Sequence, residues 1–396
     1  PGMDPKEKNR VKVQIIVSRE KDLALALQTP YIRIEAPVPG EPIIGLEVPN
    51  PSPAKVPLSL VTNSDQFVKM TQSGGLPIAL GQDTGGEPVS LDLATLPHLL
   101  IAGSTGSGKS VCINSLIASL LLTQGPDKLR MLMIDPKRVE LTPFNGLPHL
   151  VKPVIVDTDE VSGGLKGLMR EMFRRYRMME DAGSRNIVAY NKKAKNDEQL
   201  PYLVLVVDEL ADLMMSASGD VEHNLVRLAQ LGRATGIHLV LATQRPSVQV
   251  VTGLLKANIP GRVAFAVASN VDSRVILDTV GAEKLLGQGD MLLLSNSSPK
   301  PKRVQGTLVK DSEISAMVKY WVNQNGPELL PLPMDFSDDD DDEMIDDKIL
   351  DESRKLAIRY PNMSRSHLER QLRIGATKAG RIINILEEEG LVNMSF

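Results

Sequence analysis

Cysteine is almost missing: the 396-residue chain has one, Cys112. A single thiol builds no disulfide framework, and its place just after a glycine-rich stretch suits a buried small hydrophobe better than a redox group. Long apolar runs are missing too. No stretch approaches the roughly 20 residues needed to span a bilayer, and no secretory leader is read at the start. Pro1-Gly2-Met3 reads as an expression scar on a fragment, which leaves a membrane segment in a longer parent open. Strong charge of one sign is also lacking. The formal charge is −4, but eight of the 49 acidic residues fall within residues 338–347. The rest of the chain has 45 basic residues against 41 acidic ones, so nucleic acid is not excluded as a partner. Core size is no constraint at this length, and 42% apolar with 24% charged residues is ordinary for a soluble globular protein.

What is present is organised around residues 98–110, His-Leu-Leu-Ile-Ala-Gly-Ser-Thr-Gly-Ser-Gly-Lys-Ser. A short apolar run enters a glycine-rich turn, and residues 111–122 then read as a helix. That is a Walker A loop in its strand–turn–helix setting. Gly103, Gly106 and Gly108 let the backbone curl so that the N–H groups of Ser104, Thr105, Ser107 and their neighbours through Val111 face phosphate oxygens. The helix adds the positive end of its dipole. Lys109 is expected to reach the β and γ phosphates of ATP, and Ser110 to ligate Mg²⁺.

In chain order, residues 11–17 alternate enough for a strand, residues 22–28 suit a short helix, and residues 31–35 and 43–48 read as strands. The prolines of residues 49–57 break the pattern. Residues 1–88 thus form a small α+β domain with no visible chemistry, fit for a scaffold or a subunit contact. Residues 89–325 form the nucleotide domain. Apolar runs at 130–134, 154–156, 202–207, 237–242, 262–267 and 291–294 alternate with helical stretches, as in an α/β fold with a mostly parallel sheet. Residues 326–347 turn proline-rich and then acidic, the composition of a flexible linker. Residues 348–396 carry nine basic and six acidic residues and three short helices. Their spacing suits a helix-turn-helix or winged-helix unit, with a bare protein-contact bundle as the alternative.

Asp208-Glu209 ends the apolar run 202–207 and lies 99 residues beyond Lys109. Such a pair could cap a helix, but beside a Walker A loop it reads as Walker B. Asp208 would hold Mg²⁺, and Glu209 would take the proton of the water opposite the γ-phosphate. Gln244 ends the next strand, on the edge where such sheets bind ligands. It can touch both γ-phosphate and water, or simply bond its own loop. Arg233 follows the polar end of a helix, and by spacing alone is a solvated arginine. Asp135 also ends a strand, with no role assigned.

Together these residues resemble the FtsK/SpoIIIE family of DNA translocases. The matching stretches are residues 96–103 into the Walker loop, 134–141 (Ile-Asp-Pro-Lys-Arg-Val-Glu-Leu), 183–191, 207–215 (Val-Asp-Glu-Leu-Ala-Asp-Leu-Met-Met), 227–230, 236–247, 272–278 and 281–283. The resemblance implies a RecA-like ATPase domain after the smaller domain, a homo-hexameric ring around double-stranded DNA, and partners among division or recombination proteins. It makes Lys109, Ser110, Asp208, Glu209 and Gln244 servants of nucleotide in their own subunit. Arg233 becomes an arginine acting on the neighbour's site. Where relatives carry a second such cation this chain has Asn270, so none is claimed. The terminal unit resembles the family's γ domain, a winged helix. Ala376, Thr377 and Lys378 replace the usual aromatic, asparagine and arginine, and Phe396 comes where a wing would follow. Backbone contact by Lys378 and Arg381 survives these departures, without strong sequence reading. A cytoplasmic motor for chromosome segregation, with a membrane-anchored parent, follows from the resemblance. A conjugation or secretion coupling ATPase and a non-enzymatic DNA-binding adaptor are the alternatives. The former usually lacks the terminal module, and the complete Walker set argues against the latter.

Overall fold

The computed structural model describes residues 11–29, 32–38, 42–195, 198–216, 218–295, 298–324, 347–360, 363–372, 374–389 and 391–392. For residues 218, 298, 299, 347, 348, 376–378, 381 and 388 it describes the backbone alone. The chain divides into two compact units, residues 1–334 and 335–396.

The first unit opens with α1 (Val13–Ser18), α2 (Glu20–Ala26) and a hairpin of β1 (Arg33–Glu35) and β2 (Gly45–Glu47). Next come β3 (Val56–Pro57), α3 (Leu58–Thr62), α4 (Asp65–Gln72), β4 (Pro77–Asp83) and β5 (Pro88–Asp92). The nucleotide stretch contributes β6 (His98–Ala102), α5 (Lys109–Thr123), β7 (Leu129–Ile134), α6 (Asp159–Asp181), α7 (Ile187–Lys193) and β8 (Tyr202–Val207). It continues through α8 (Leu210–Ser216), α9 (Ser218–Thr235), β9 (Ile237–Thr243), α10 (Gly253–Asn258) and β10 (Gly261–Phe265). The elements α11 (Asn270–Leu277), β11 (Asp290–Ser295), β12 (Ser298–Leu308) and α12 (Asp311–Val322) complete the unit.

A ten-stranded sheet has the order β5-β4-β12-β11-β10-β6-β9-β8-β7, with β3 paired to β12 beside that path. From β10 to β7 every pairing is parallel. From β10 to β5 every pairing is antiparallel. The reason is connection length. Helical crossovers separate the parallel strands, whereas β4 and β5, and β11 and β12, follow each other through short turns that permit only antiparallel pairing. The sheet is therefore mixed, less parallel than the apolar runs suggest. Strands β6, β7 and β9 are buried along their whole length, which is why they read as continuous apolar runs. The core joins Leu99, Ile101, Ile113, Leu116, Met131, Val204, Val240 and Val263. Each such side chain contributes on the order of 2 kcal/mol through burial.

Three sequence expectations are corrected. Residues 11–17 are not a strand but mostly α1, which buries none of its residues. A strand needs a neighbour to pair its backbone, whereas even a short helix forms some of its bonds within itself. Residues 154–156 make only an isolated bridge, Ile155 to Ile134. Residues 291–294 are not the last strand: β12 follows, and its Pro301 falls where the β11–β12 register shifts, a place that needs no ladder donor.

The second unit holds α13 (Asp347–Arg359), α14 (Arg365–Leu372) and α15 (Ala376–Glu388) around Ala357, Leu368, Ala379, Ile382 and Leu386. The pair α14–α15 turns at Gly375 in helix-turn-helix fashion. The acidic linker expected at 326–347 lies outside the described residues except for its last position. Among the described residues no helix is long and apolar enough to cross a membrane.

Candidate nucleotide site

The glycine-rich loop sits on the carboxyl ends of three neighbouring strands. It leaves β6 at Ala102, and the Gly103 N–H donates to Thr243 O at the end of β9. The Ser104 N–H donates to Ala266 O, just past β10. Gly103 has no room for a side chain: a Cβ there would lie 2.5 Å from Phe265 Cβ. Gly106 and Gly108 take φ of +76° and +113°, the left-handed region that glycine adopts without strain. Behind the loop, the Gly289 N–H donates to Ser107 O at 2.8 Å. The adjoining Asp290 pairs with Arg303 at 2.7 Å, and Arg303 also reaches Glu47 of the N-terminal hairpin at 2.7 Å. Helix α5 then starts without a side-chain cap or an acid in its first turn, so its leading N–H groups and dipole face the loop's hollow. Thr105 and Gly106 are exposed, Ser104, Ser110 and Val111 are half-buried, and Ser107 and Lys109 are buried.

Lys109 is 3% exposed, and its Nζ donates to Asp208 Oδ1 at 2.5 Å and to Asp208 O at 2.7 Å. Asp208, one residue past β8, is fully buried and its Oδ2 has no partner among the described residues. Burial raises its pKa, Lys109 opposes the rise, and the nearby Glu140 and Asp135 add to it. Ser110 Oγ donates to Glu140 Oε1 at 2.7 Å. An orphaned carboxylate oxygen, a second acid and a hydroxyl are hard oxygen donors that suit Mg²⁺. Among the described residues no cluster of three or more His, Cys, Asp or Glu could hold an ion. A nucleotide-bound Mg²⁺ needs none, because phosphates and water supply most of its ligands.

Glu209 is fully buried beside Asp208. Burial alone would raise its pKa, but donors on both oxygens outweigh that and hold it below the usual carboxylate range. Lys137 Nζ lies 2.7 Å from Oε2, and Oε1 accepts Thr243 Oγ1 at 2.7 Å and the Gln244 N–H at 3.1 Å. Gln244 Oε1 in turn accepts Thr105 Oγ1 at 2.9 Å. The site thus brings Lys109, Ser110, Asp208, Glu209 and Gln244 onto one sheet edge.

Lys137, Glu140 and Thr243 are the partners sequence reasoning missed. Thr243 is placed by β9 itself, whereas Lys137 and Glu140 follow Asp135, a buried acid just past β7 whose Oδ2 accepts the Leu141 N–H at 2.8 Å. That bond and the Arg138 N–H to Asp135 O at 3.1 Å close the loop 136–140, with Lys137 on Glu209 and Glu140 on Ser110. The one available signal was charged residues crowding a strand's carboxyl end. Cys112 is buried, and burial pushes its thiol up to about 12, so it is inert.

Arg233 does not join this cluster. It lies in the last turn of α9, before β9 begins, hence at the amino edge of the parallel strands. Six residue steps of β9 separate the two edges by about 20 Å. Its side chain is exposed and has no hydrogen-bond or ion-pair partner among the described residues. Lys378 and Arg381 fall on α15, and their side chains lie outside the described residues.

Three known sequence patterns match the chain: the FtsK/SpoIIIE family over residues 60–248, the FtsK alpha domain over 4–50 and the FtsK gamma domain over 344–395. A DNA translocase FtsK of Halalkalibacterium halodurans is 49% identical over 390 residues, covering 96% of this chain and 49% of that one. The DNA translocase SpoIIIE of Bacillus subtilis is 48% identical, with 96% and 49% covered. The chain spans about half the length of these curated relatives. Among solved structures, the conjugation coupling protein TcpA of pCW3 with ATPγS superimposes with a TM-score of 0.60 at 27% identity, covering 78% of this chain and 87% of that one.

Proposed function

Because the chain belongs to the FtsK/SpoIIIE family, we propose that it is the motor part of an ATP-driven double-stranded DNA translocase acting as a homo-hexameric ring. The observation that carries this reading is the meeting of Lys109, Ser110, Asp208, Glu209 and Gln244 beside the glycine-rich loop. The α5 amino end and the loop N–H groups of Thr105, Gly106 and Gly108 through Val111 bind the ATP phosphates, whereas those of Gly103, Ser104 and Ser107, also expected to do so, are spent on Thr243 O, Ala266 O and Ser104 O and shape the loop instead. Lys109 moves from Asp208 to the β and γ phosphates. Mg²⁺, held by Ser110 and Asp208, would supply Lewis-acid charge neutralisation on those oxygens. Glu209 accepts the proton of the attacking water. Gln244 orients that water and reports the γ-phosphate to the loop through Thr105. Arg233, on the far edge, serves the site of the next subunit, where its charge stabilises the transferring phosphoryl group.

Residues 348–396 are proposed as a DNA-binding head tethered by an acidic linker, with Lys378 and Arg381 on phosphates. Its gamma-domain match speaks against a pure conjugation coupling role, the reading that the likeness to TcpA would favour. We place this part of the protein in the cytoplasm, in chromosome segregation at division, with division or recombination proteins as further partners and a membrane anchor in the longer protein.

The test is ATP turnover with and without long linear duplex, alongside displacement of a third strand from that duplex. DNA-stimulated turnover with ATP-dependent displacement is expected. Turnover indifferent to duplex, with no displacement, overturns the proposal.

A further inference from the structure

In the last turn of α9 one residue, Arg233, is exposed, and the backbone around it is anchored on several sides. Tyr176 of α6 donates its hydroxyl to Leu231 O at 2.7 Å. Arg175, fully buried, donates through Nη1 to Thr235 O at 2.9 Å and through Nε to Glu171 Oε1 at 2.7 Å. Thr235 Oγ1 returns to Gly232 O at 2.9 Å. Gly236 ends the helix at φ +74°, where its N–H meets Arg233 O and a Cβ would strike Ile187 at 2.6 Å. Helix ends leave their last carbonyls without intrahelical partners, to be met by side chains, 3₁₀-type bonds or water. Here Leu231, Gly232, Arg233 and Thr235 all have protein donors. The Arg175 cation also stands at the negative end of the α9 dipole.

In the middle of this turn the Arg233 guanidinium is exposed and bare. A fixed backbone under a free cationic tip suits a group that must meet charge on another molecule at a set position. Burying a whole arginine costs desolvation that an apolar residue would avoid, and only Glu171 and the carbonyl offset it.

We propose that Tyr176 and Arg175 are positioning residues for Arg233, holding the end of α9 so that it reaches the nucleotide site of a neighbouring copy. The inference rests on the ring reading given above. Neither residue touches nucleotide in its own subunit, so their loss should appear in the neighbour's turnover.

The experiment uses the full chain, with Tyr176→Phe, which removes one hydroxyl, and Arg175→Lys, which keeps the charge but loses the fork. Thermal melts establish that each variant folds. Pure rings of Tyr176→Phe should turn over ATP about three- to tenfold more slowly at unchanged KM and nucleotide affinity, the scale of one lost hydrogen bond. Each variant is then mixed with Lys109→Ala subunits, whose α9 ends are intact, with Arg233→Ala mixed in parallel. Turnover per intact phosphate loop is expected to rise on mixing for all three. If Arg233→Ala is rescued but the folded Tyr176→Phe and Arg175→Lys stay at their pure-ring rates, their defect lies in their own site and the positioning role is overturned. Wild-type turnover in both folded variants overturns it too. If Arg233→Ala is not rescued in rings that demonstrably mix, the neighbour-site reading of Arg233 fails first and this inference with it.

Discussion

Thr105 at the tip of the phosphate loop donates its hydroxyl to the Gln244 side chain at 2.9 Å, 139 residues away in sequence. Gln244 gives its own backbone N–H to Glu209 at 3.1 Å. The loop that would hold phosphate and the acid that would activate water are therefore joined through one residue. A phosphate displacing Thr105 would free the Gln244 amide group while its backbone still braces Glu209.

We expect Glu209→Gln to bind ATP nearly as well as the wild type and to hydrolyse it roughly a hundredfold more slowly, the scale of one lost general base. The substitution keeps an oxygen for Thr243 and removes the basic site. Equilibrium binding and single-turnover hydrolysis, measured separately, check it. Near-normal turnover would remove Glu209 as the base.

Gly108→Ala should abolish nucleotide binding. Its φ of +113° disfavours any side chain, by about 1–2 kcal/mol for an ordinary residue in left-handed backbone. The added Cβ would also lie 2.5 Å from the Gly289 nitrogen, which braces Ser107. Titration with a fluorescent ATP analogue is the measurement; wild-type affinity in the variant would show that the brace yields freely.

Stability should fall between neutral pH and pH 5 through three buried histidines. Burial first, then His238 and Arg233, holds His98 at about 3, and burial with Arg175 and Arg233 holds His238 at about 4. Burial likewise holds His149 at about 4. The folded values lie below the ordinary 6.5, so the unfolded chain takes up protons first as pH falls. The loss begins near pH 6.5 and grows until the folded pKa values are reached, by about 2 kcal/mol per histidine at pH 5. Denaturant unfolding at pH 7 and pH 5 measures it, and His149→Gln should flatten the slope. A transition unmoved between the two pH values would mean that the folded and unfolded chains take up protons alike, and would overturn the depressed values.

Removing residues 348–396 should weaken duplex binding and slow initiation while leaving ATP turnover at saturating duplex mostly unchanged. Binding lost on deletion should be salt-sensitive, with less than about a thousandfold preference for any sequence. Paired titrations at two salt concentrations test this. Unaltered DNA affinity after deletion would leave the module a protein-contact role.

The parallel half of the sheet was legible because burial on both faces imposes continuous apolar runs, as in residues 202–207 and 237–243. The antiparallel half was harder. Strand β12 carries Lys300, Pro301, Lys302 and Arg303, a basic and proline-bearing run without the apolar pattern of a strand. Segment 11–17 misled because its alternation says nothing about whether a pairing strand exists. At the site, Lys109 and Ser110 follow from local spacing, and Asp208-Glu209 from the end of an apolar run. Lys137 and Glu140 could not be read, because their direction depends on a loop closed by the bonds from Arg138 and Leu141 back to Asp135.

The support behind the phosphate loop also joins distant parts of the chain mechanically. Ser107 is bonded to Gly289, Asp290 follows it in the chain, Arg303 clamps Asp290, and the same guanidinium holds Glu47. Apart from the Arg303, Asp290 and Glu47 side chains, every link is backbone. Close-packed interiors transmit displacement instead of absorbing it. The hollow where phosphate would sit and the β1–β2 hairpin are thus the two ends of one bonded path, so a displacement at Ser107 has a direct route to Glu47.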